Sequence, residues 1–216
     1  MEGIKAFLKR KNIEISAKRY GIDALGAMAQ GLFASLLIGT IINTVGTQFG
    51  IGFLTQAVVT VGSGEKAVAY TVGGLASAMS GPAMACAIGY ALQAPPLVLF
   101  SLITVGFASN ALGGAGGPLA VLFVAILAAE AGKAVSKETK IDILVTPLVT
   151  IFVGVALSAW WAPAIGKAAS SIGGIIMWAT ELQPFFMGIV VSVIIGVALT
   201  LPISSAAICA ALGLTG

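Results

Sequence analysis

The sequence predicts an all-α polytopic membrane protein with about six transmembrane helices and additional broken or re-entrant segments. Of 216 residues, 58% are hydrophobic and only 9% are charged, and the mean hydropathy is +1.07. A soluble domain carries about a quarter charged residues, so this chain could not cover a globule with polar surface. The 28 glycines favour helices packed closely in lipid. Alternating strands of the outer-membrane barrel type are absent, so the spans are helical.

The N-terminus is basic and is assigned to the cytoplasmic side. We divide the chain into an N-terminal segment, residues 1–20, and a transmembrane domain, residues 21–216. The apolar run after residue 20 is too long for a signal peptide and lacks a convincing cleavage site, so it is retained as the first helix. The positive-inside rule then places the N-terminus in the cytoplasm. Residues 4–19 either lie on the anionic inner leaflet as a basic amphipathic helix or stay solvated.

Six segments are apolar and long enough to be spans, for which about 20 residues are typical. They are 22–45, 67–92, 95–112, 118–132, 143–165 and 184–201, and a further apolar stretch covers 203–214.

The short apolar segment 51–62 is assigned by charge. Lys133, Lys137 and Lys140 cluster in one loop, which should be cytoplasmic. An even number of crossings must then separate this loop from the N-terminus, and the longer segments already supply four. We therefore predict that 51–62 is re-entrant or interfacial and that Lys167 lies outside.

Three stretches interrupt the predicted helices: "MSGPAMA" with Gly81-Pro82, "SNALGGAGGPLAV" and "SSIGGIIMWATELQP". Irregular backbone at membrane depth persists only where protein buries it or where it lines a cavity, and such breaks often build the substrate site of a carrier. Residues 113–117 are either such a break or a surface loop, and residues 170–183 are predicted to be re-entrant.

Small residues recur every fourth position in two places and predict close helix contacts, within or between subunits. They are Gly73, Ser77, Gly81, Ala85 and Gly89, and then Gly188, Ser192, Gly196 and Thr200.

Several kinds of chemistry are excluded by residues that the chain lacks. It contains no histidine, which rules out a Ser-His-Asp triad, a phosphohistidine and a zinc site of the ordinary type. No Walker A motif is present. Cys86 and Cys209 stand alone in apolar runs and are interpreted as small buried side chains. We predict no catalytic residue, no metal and no cofactor.

Glu181 is the leading candidate for a binding residue. No other charged residue occurs from Leu182 to Gly216, and an acid in such a segment usually faces a cavity or a partner. Pro184 disfavours a helical conformation at Gln183 and leaves backbone carbonyls free near the carboxylate. Thr180, Glu181 and Gln183 therefore form a predicted hydrogen-bonding cluster for a polyhydroxylated solute or a cation. The alternative places Glu181 in water at the outer interface.

Asn110 and Ser109, just before the glycine-rich turn, are weaker candidates for the same solute. Hydrogen bonding to a neighbouring helix is the commoner role for such residues.

The stretch "TELQPFFMGIVVSVIIGVALTLPISSAAICAALGLTG", with "SNALGGAGGPLAVLF" upstream, resembles the membrane subunit IIC of bacterial sugar phosphotransferase systems, in particular the perfringolysin regulator-like branch. The resemblance begins near residue 20. "TELQP" is similar to the acid-and-proline motif of glucose-type subunits, where the glutamate contacts sugar hydroxyls. Only Glu181 and Pro184 match that motif, with one residue inserted between them, and the histidine that several such transporters use near the sugar has no counterpart.

The resemblance implies a subunit of the bacterial inner membrane that binds a sugar or another small polar solute. It also implies phosphoryl transfer by a separate cytosolic IIB protein, a homo-oligomer, and no direct contact with nucleic acid. Its family is longer, so we expect further helices beyond residue 216 or a site completed by another subunit. A membrane-embedded sensor or regulator and an ion-coupled carrier remain alternative functions.

Overall fold

The computed structural model describes residues 2–64, 67–182 and 192, and it has the predicted all-α membrane architecture. Among these residues, four helices are long and apolar enough to cross a membrane, or five if one bent pair is counted as a span. The predicted spans 22–45, 95–112, 118–132 and 143–165 each correspond to one of the four. The predicted span 184–201, apart from residue 192, and the stretch 203–214 lie outside the described residues.

The elements follow one another along the chain with short connections. The first membrane helix, Arg19–Gln48, contains π-helical stretches at Arg19–Asp23 and Phe33–Leu37. The labelled elements are α1 (Glu2–Arg10), α2 (Ala24–Leu32), α3 (Ile38–Gln48), α4 (Gly52–Thr55), β1 (Val59–Val61), β2 (Val68–Tyr70), α5 (Val72–Ala78), α6 (Ser80–Ala91), α7 (Pro96–Gly113), α8 (Gly117–Val135) and α9 (Asp142–Leu182).

The segment 51–62 contains no helix long enough to span a membrane, which agrees with the prediction that it is not a crossing. It forms the short helix α4 and the strand β1, which pairs antiparallel with β2 from Val59↔Tyr70 to Val61↔Val68. The hairpin was not predicted, because three-residue strands give too little alternation to be recognised in an apolar sequence.

The predicted break in the segment 67–92 is confirmed, three residues before the proline. Helices α5 and α6 meet at a bend of 50° located at Met79, between Ala78 and Ser80. Pro82 lies in the first turn of α6, where its missing N–H removes no intrahelical hydrogen bond. Thr71 caps α5 by accepting a hydrogen bond from the Gly74 backbone N–H over 3.0 Å.

The prediction of a re-entrant element at 170–183 is wrong for the residues described, because α9 continues from Asp142 to Leu182 without reversing. A glycine costs about 1 kcal/mol relative to alanine in a helix, whereas unsatisfied backbone groups in lipid cost several kcal/mol each. Continuing the helix through Gly173 and Gly174 is therefore the less costly outcome. Residues 113–117, predicted as either a break at membrane depth or a surface loop, form a tight turn between α7 and α8, with a 3₁₀ turn at Gly114–Gly116.

One end of the bundle is defined by hydrogen bonds to a single carbonyl. Leu92 O accepts from Arg19 Nη2 over 2.8 Å and from Lys133 Nζ over 3.1 Å. The start of the first membrane helix and the ends of α6 and α8 therefore lie together, and we call this the inner end. The bent pair α5–α6 must cross the bundle, because Thr71, just before α5, donates to Asn43 Oδ1 near the opposite end of the first helix.

Four crossings thus separate the N-terminal segment from the loop 136–141, and both lie on the same side. The relative topology predicted from the lysines agrees with this arrangement. α9 returns to the outer end, where a Cβ on Gly166 would lie 2.5 Å from Gly113 O.

Small residues bring the helix backbones into contact inside the chain. Gly81 of α6 faces Gly106 of α7 so closely that a Cβ on either would collide with the carbonyl oxygen of the other. Gly73 of α5 and Gly39 of α3 make the same kind of contact. The first predicted ridge therefore packs within the subunit. The second ridge, apart from Ser192, lies outside the described residues.

We expect Gly81→Ala to destabilise the protein by about 1–3 kcal/mol, the usual cost of overpacking a core. The new methyl group meets backbone, which cannot turn aside as a side chain can. Gly26→Ala is the matched control, because no atom lies within 4 Å of its added Cβ, and it should be neutral or mildly stabilising. Thermal unfolding in mild detergent measures both, and equal midpoints would show that the α6–α7 contact is not tight.

Candidate functional site

A cluster of polar side chains lies near the outer end, beside the break between α5 and α6. Ser109 and Asn110 occupy successive positions on α7, so they face different neighbours. Asn110 Nδ2 donates to Ser80 Oγ at the break over 3.4 Å. Ser109 and Ser158 of α9 join their hydroxyl groups over 2.7 Å. The cluster therefore links α6, α7 and α9.

The hydroxyl group of Ser109 is engaged in a hydrogen bond within the protein. Both Ser109 and Ser158 are fully buried, and Ser158 Oγ donates to Gly154 O over 2.8 Å. Since a serine hydroxyl has one proton, Ser109 must be the donor to Ser158. This bond fixes the position of α7 against α9 next to Asn110.

Asn110 is the more available of the two predicted residues. It is half-buried, and its amide oxygen lies against Gly117 at the start of α8, where a Cβ would collide with it. A carboxamide offers two donors and an acceptor, so it can hydrogen-bond the hydroxyl groups of a polyol.

Thr180 and Glu181 lie in the last turn of α9, and Gln183 lies outside the described residues. At about 1.5 Å per residue, about 33 Å of helix axis separates Ser158 from Thr180. The structure therefore does not bring Glu181 and Asn110 together within one chain. They are two separate candidate positions.

The inner end holds a buried charged cluster, the inner junction, made of Arg19, Tyr20, Leu92, Glu130 and Lys133. Lys133 is 2% exposed and Arg19 is 7% exposed. Besides Leu92 O, Lys133 Nζ donates to Asn12 O over 2.9 Å and to Glu130 Oε1 over 3.1 Å. Tyr20 OH donates to the same carboxylate oxygen over 3.1 Å.

The second oxygen of Glu130 is held by charge and not by a directed hydrogen bond. Glu130 Oε2 lies 2.9 Å from Lys133 Nζ, yet it is buried and accepts no hydrogen bond of acceptable geometry from the described residues. Lys133 Nζ thus holds both oxygens of the carboxylate, Oε1 through a hydrogen bond and Oε2 through charge. Lys133 was predicted in a loop, and this is corrected: α8 extends to Val135 and buries Lys133, with Glu130 partly buried beside it. Their spacing of three residues is the signal that could have identified the pair.

The N-terminal segment is clamped to the inner end by residues 10–12, which we call the strap. Arg10 Nη2 lies 2.8 Å from Glu138 Oε1, and Lys11 Nζ contacts both Glu138 and Ser136 O. Asn12 Nδ2 donates to Gln93 Oε1 over 2.6 Å. The hydrogen bond from Lys11, reinforced by the charges of Arg10 and Lys11, lowers the pKa of Glu138. Neither alternative for residues 4–19 anticipated this contact with two turns of the bundle.

An apolar groove of about 720 Å³ runs between residues 13–25, α8 and Trp161. Its lining offers few polar atoms besides those of Tyr20 and Glu130 at one end. A polar solute needs several placed hydrogen-bonding groups, so this groove is not the solute site.

We expect Lys133→Met to lower the free energy of unfolding by about 3–5 kcal/mol, because it leaves the Glu130 carboxylate buried without its cation. The double variant Glu130→Gln/Lys133→Met should lose less, because no unpaired charge remains. Lys140→Met, an exposed lysine of the same region, is the control and should change stability by about 0.5 kcal/mol or less. Denaturant titration in detergent tests this, and a Lys133→Met as stable as Lys140→Met would contradict it.

Comparison with known proteins adds one match. The family model described as "Phosphotransferase system, EIIC" matches residues 22–216. No curated protein and no solved structure matches the chain.

Proposed function

The chain belongs to the phosphotransferase system EIIC family and is a membrane transport subunit of that type; we propose that it binds and translocates a sugar or a related small polar solute. The observation that carries the proposal is the family match over nearly the whole chain. The bundle supports it, because a bent helix pair next to a polar cluster is the kind of discontinuity at which carriers bind solutes.

We propose two sets of solute contacts. The first is Asn110, positioned by the buried pair Ser109–Ser158. The second is Glu181, with Thr180 and Gln183 beside it. The support for Glu181 is the cost of an acid in a long uncharged segment and the acid-and-proline motif. Because α9 separates the two sets, each is proposed to act at a different position along the route or in a different conformation.

The phosphoryl group is proposed to come from a cytosolic IIB protein. These 216 residues contain no histidine, so they cannot supply a phosphohistidine themselves. A bacterial inner membrane as the location, a cytoplasmic N-terminus, a homo-oligomer and the perfringolysin regulator-like branch are further parts of the proposal. Support for the homo-oligomer comes from the resemblance alone, because the ridge at 73–89 is used within the chain.

The solute contacts are tested by uptake of radiolabelled sugars into cells that express the chain with its cytosolic partners and lack other routes. We expect Glu181→Gln to reduce uptake by about ten- to a hundredfold, since a charge-assisted hydrogen bond contributes about 1.5–3 kcal/mol and about 1.4 kcal/mol is a factor of ten. Asn110→Ala should reduce it by about tenfold.

Asp23→Asn is the matched control, an exposed acid near the inner end, and it should leave uptake unchanged. Wild-type uptake by Glu181→Gln from pH 5 to 8, with normal folding, would remove Glu181 from the site. An absence of uptake for every sugar, with solute binding retained, would favour the sensor.

The sidedness of the inner end is tested by cysteine labelling in intact cells, with Cys86 and Cys209 replaced by alanine. We expect Lys137→Cys to be protected from an impermeant thiol reagent, since the lysine loop should be cytoplasmic. Thr60→Cys, exposed on the hairpin at the outer end, should react. The reverse pattern would invert the topology.

A further inference from the structure

The strap borders a polar cavity at the inner end that contains none of the proposed solute contacts. It has a volume of about 390 Å³ and lies between residues 10–12, the turn around Gln93 and the loop after α8. It is lined by four cationic side chains, Arg10, Lys11, Lys133 and Lys137, and by the carboxylate of Glu138. We call it the strap cavity.

Not all four cations are equally available to a ligand. Lys133 uses its three donors on Asn12 O, Leu92 O and Glu130, and its charge is balanced by Glu130. Arg10 has a 64% exposed side chain, and one bond to Glu138 engages only part of its guanidinium, which carries five N–H donors. Lys137 is exposed. Available positive charge therefore remains at Arg10 and Lys137, whereas Lys11, whose side chain is 9% exposed, is held by Glu138 and Ser136 O and turns to a ligand only when Glu138 is displaced.

Two carboxylates face these cations and set the charge balance. Glu138 occupies Arg10 and Lys11, and Asp142 accepts from the backbone N–H of Lys137 over 2.6 Å. An anion that enters the cavity can replace Glu138 as the partner of Arg10 and Lys11. A planar guanidinium matches the paired oxygens of a phosphate, and lysine serves as a point charge beside it.

We propose that the strap cavity is a binding site for a phosphate group, held by Arg10, Lys11 and Lys137 in competition with Glu138. The site is open toward the inner end, so the phosphate can belong to a soluble phosphate ester or to an anionic lipid headgroup. In either case the bound group draws the strap cations away from Glu138. The inference does not rest on solute transport, because the cavity and its charges carry it.

The test uses the full chain, purified in a neutral detergent, and isothermal titration with inorganic phosphate at constant ionic strength maintained with chloride. A second arm compares the chain in phosphatidylcholine nanodiscs with and without phosphatidic acid, reading the thermal midpoint. We expect saturable phosphate binding in the first arm, or stabilisation by phosphatidic acid in the second. The first result identifies a soluble phosphate as the source, and the second alone identifies a lipid headgroup.

Two variants with opposite expected effects separate a binding site from mere disturbance of the fold. Lys137→Asn should weaken binding by about tenfold, the size of one charge-assisted hydrogen bond. Asparagine accepts the left-handed backbone that Lys137 adopts, with φ of 62°. Glu138→Gln should tighten binding by about threefold or more, because it removes the competing carboxylate.

Lys140→Asn is the matched control, since it removes the same charge from an exposed lysine of the same loop that does not line the cavity. Binding weakened equally by Lys137→Asn and Lys140→Asn would reflect diffuse surface charge and overturn the proposal. Absence of saturable binding in both arms, or weaker binding in Glu138→Gln, would do the same. None of these results depends on uptake, so failure here leaves the transport proposal untouched.

Discussion

Two buried cations sharing the carbonyl oxygen of Leu92 form the constraint on which the inner end depends. Burying Arg19 and Lys133 carries a desolvation cost of several kcal/mol for each ion, and only complete pairing offsets it. Lys133 pairs with Glu130 and with the carbonyls of Asn12 and Leu92. Arg19 donates to Leu92 O, Asn12 Oδ1 and Glu14 Oε2, and Tyr20 OH donates to Glu130. The start of the first helix and the ends of α6 and α8 must therefore meet at one place, which fixes the antiparallel order and anchors the strap.

The outer half of the bundle is held by close van der Waals packing between helices and not by buried charges. Glycine pairs such as Gly81–Gly106 bring helix backbones into contact, and dispersion replaces the hydrophobic effect that lipid cannot supply. Close approach also positions polar side chains that would otherwise lie in lipid, including Asn110 against Ser80. On the two sides of the bend at Met79, α3 packs against Gly73 and Ser77 of α5, and α7 packs against Ser80 and Gly81 of α6. The tight packing of α6 against α7 and the break before α6 together determine where Asn110, the candidate solute contact, lies.

The strap connects the buried inner junction to the solvent-exposed turns at the inner end. Residues 10–12 hold the turn around Gln93 and the loop after α8 through side-chain contacts, several of them exposed to solvent and salt. Exposed ion pairs contribute little free energy, about 0–1 kcal/mol, whereas the buried junction beneath them resists opening. The strap is therefore anchored at Asn12, with Lys11 largely buried beside it, and its exposed contact is the pair Arg10–Glu138. The proposed phosphate would compete for that exposed contact and leave the inner junction intact.

Hydropathy and charge alone determined that the chain is a helical membrane protein, where four of its helices lie, and that the N-terminus and lysine loop share a side. These properties follow from local composition, because charged residues are costly in lipid and an apolar run of about 20 residues is long enough to cross it. The strap, the burial of Lys133 and the pairing of Ser109 with Ser158 required the tertiary structure, because each joins residues distant in sequence. The sequence also misjudged 170–182, where glycines suggested a break. Only the fold decided between turn and helix there, since backbone hydrogen bonds in lipid outweigh local propensity.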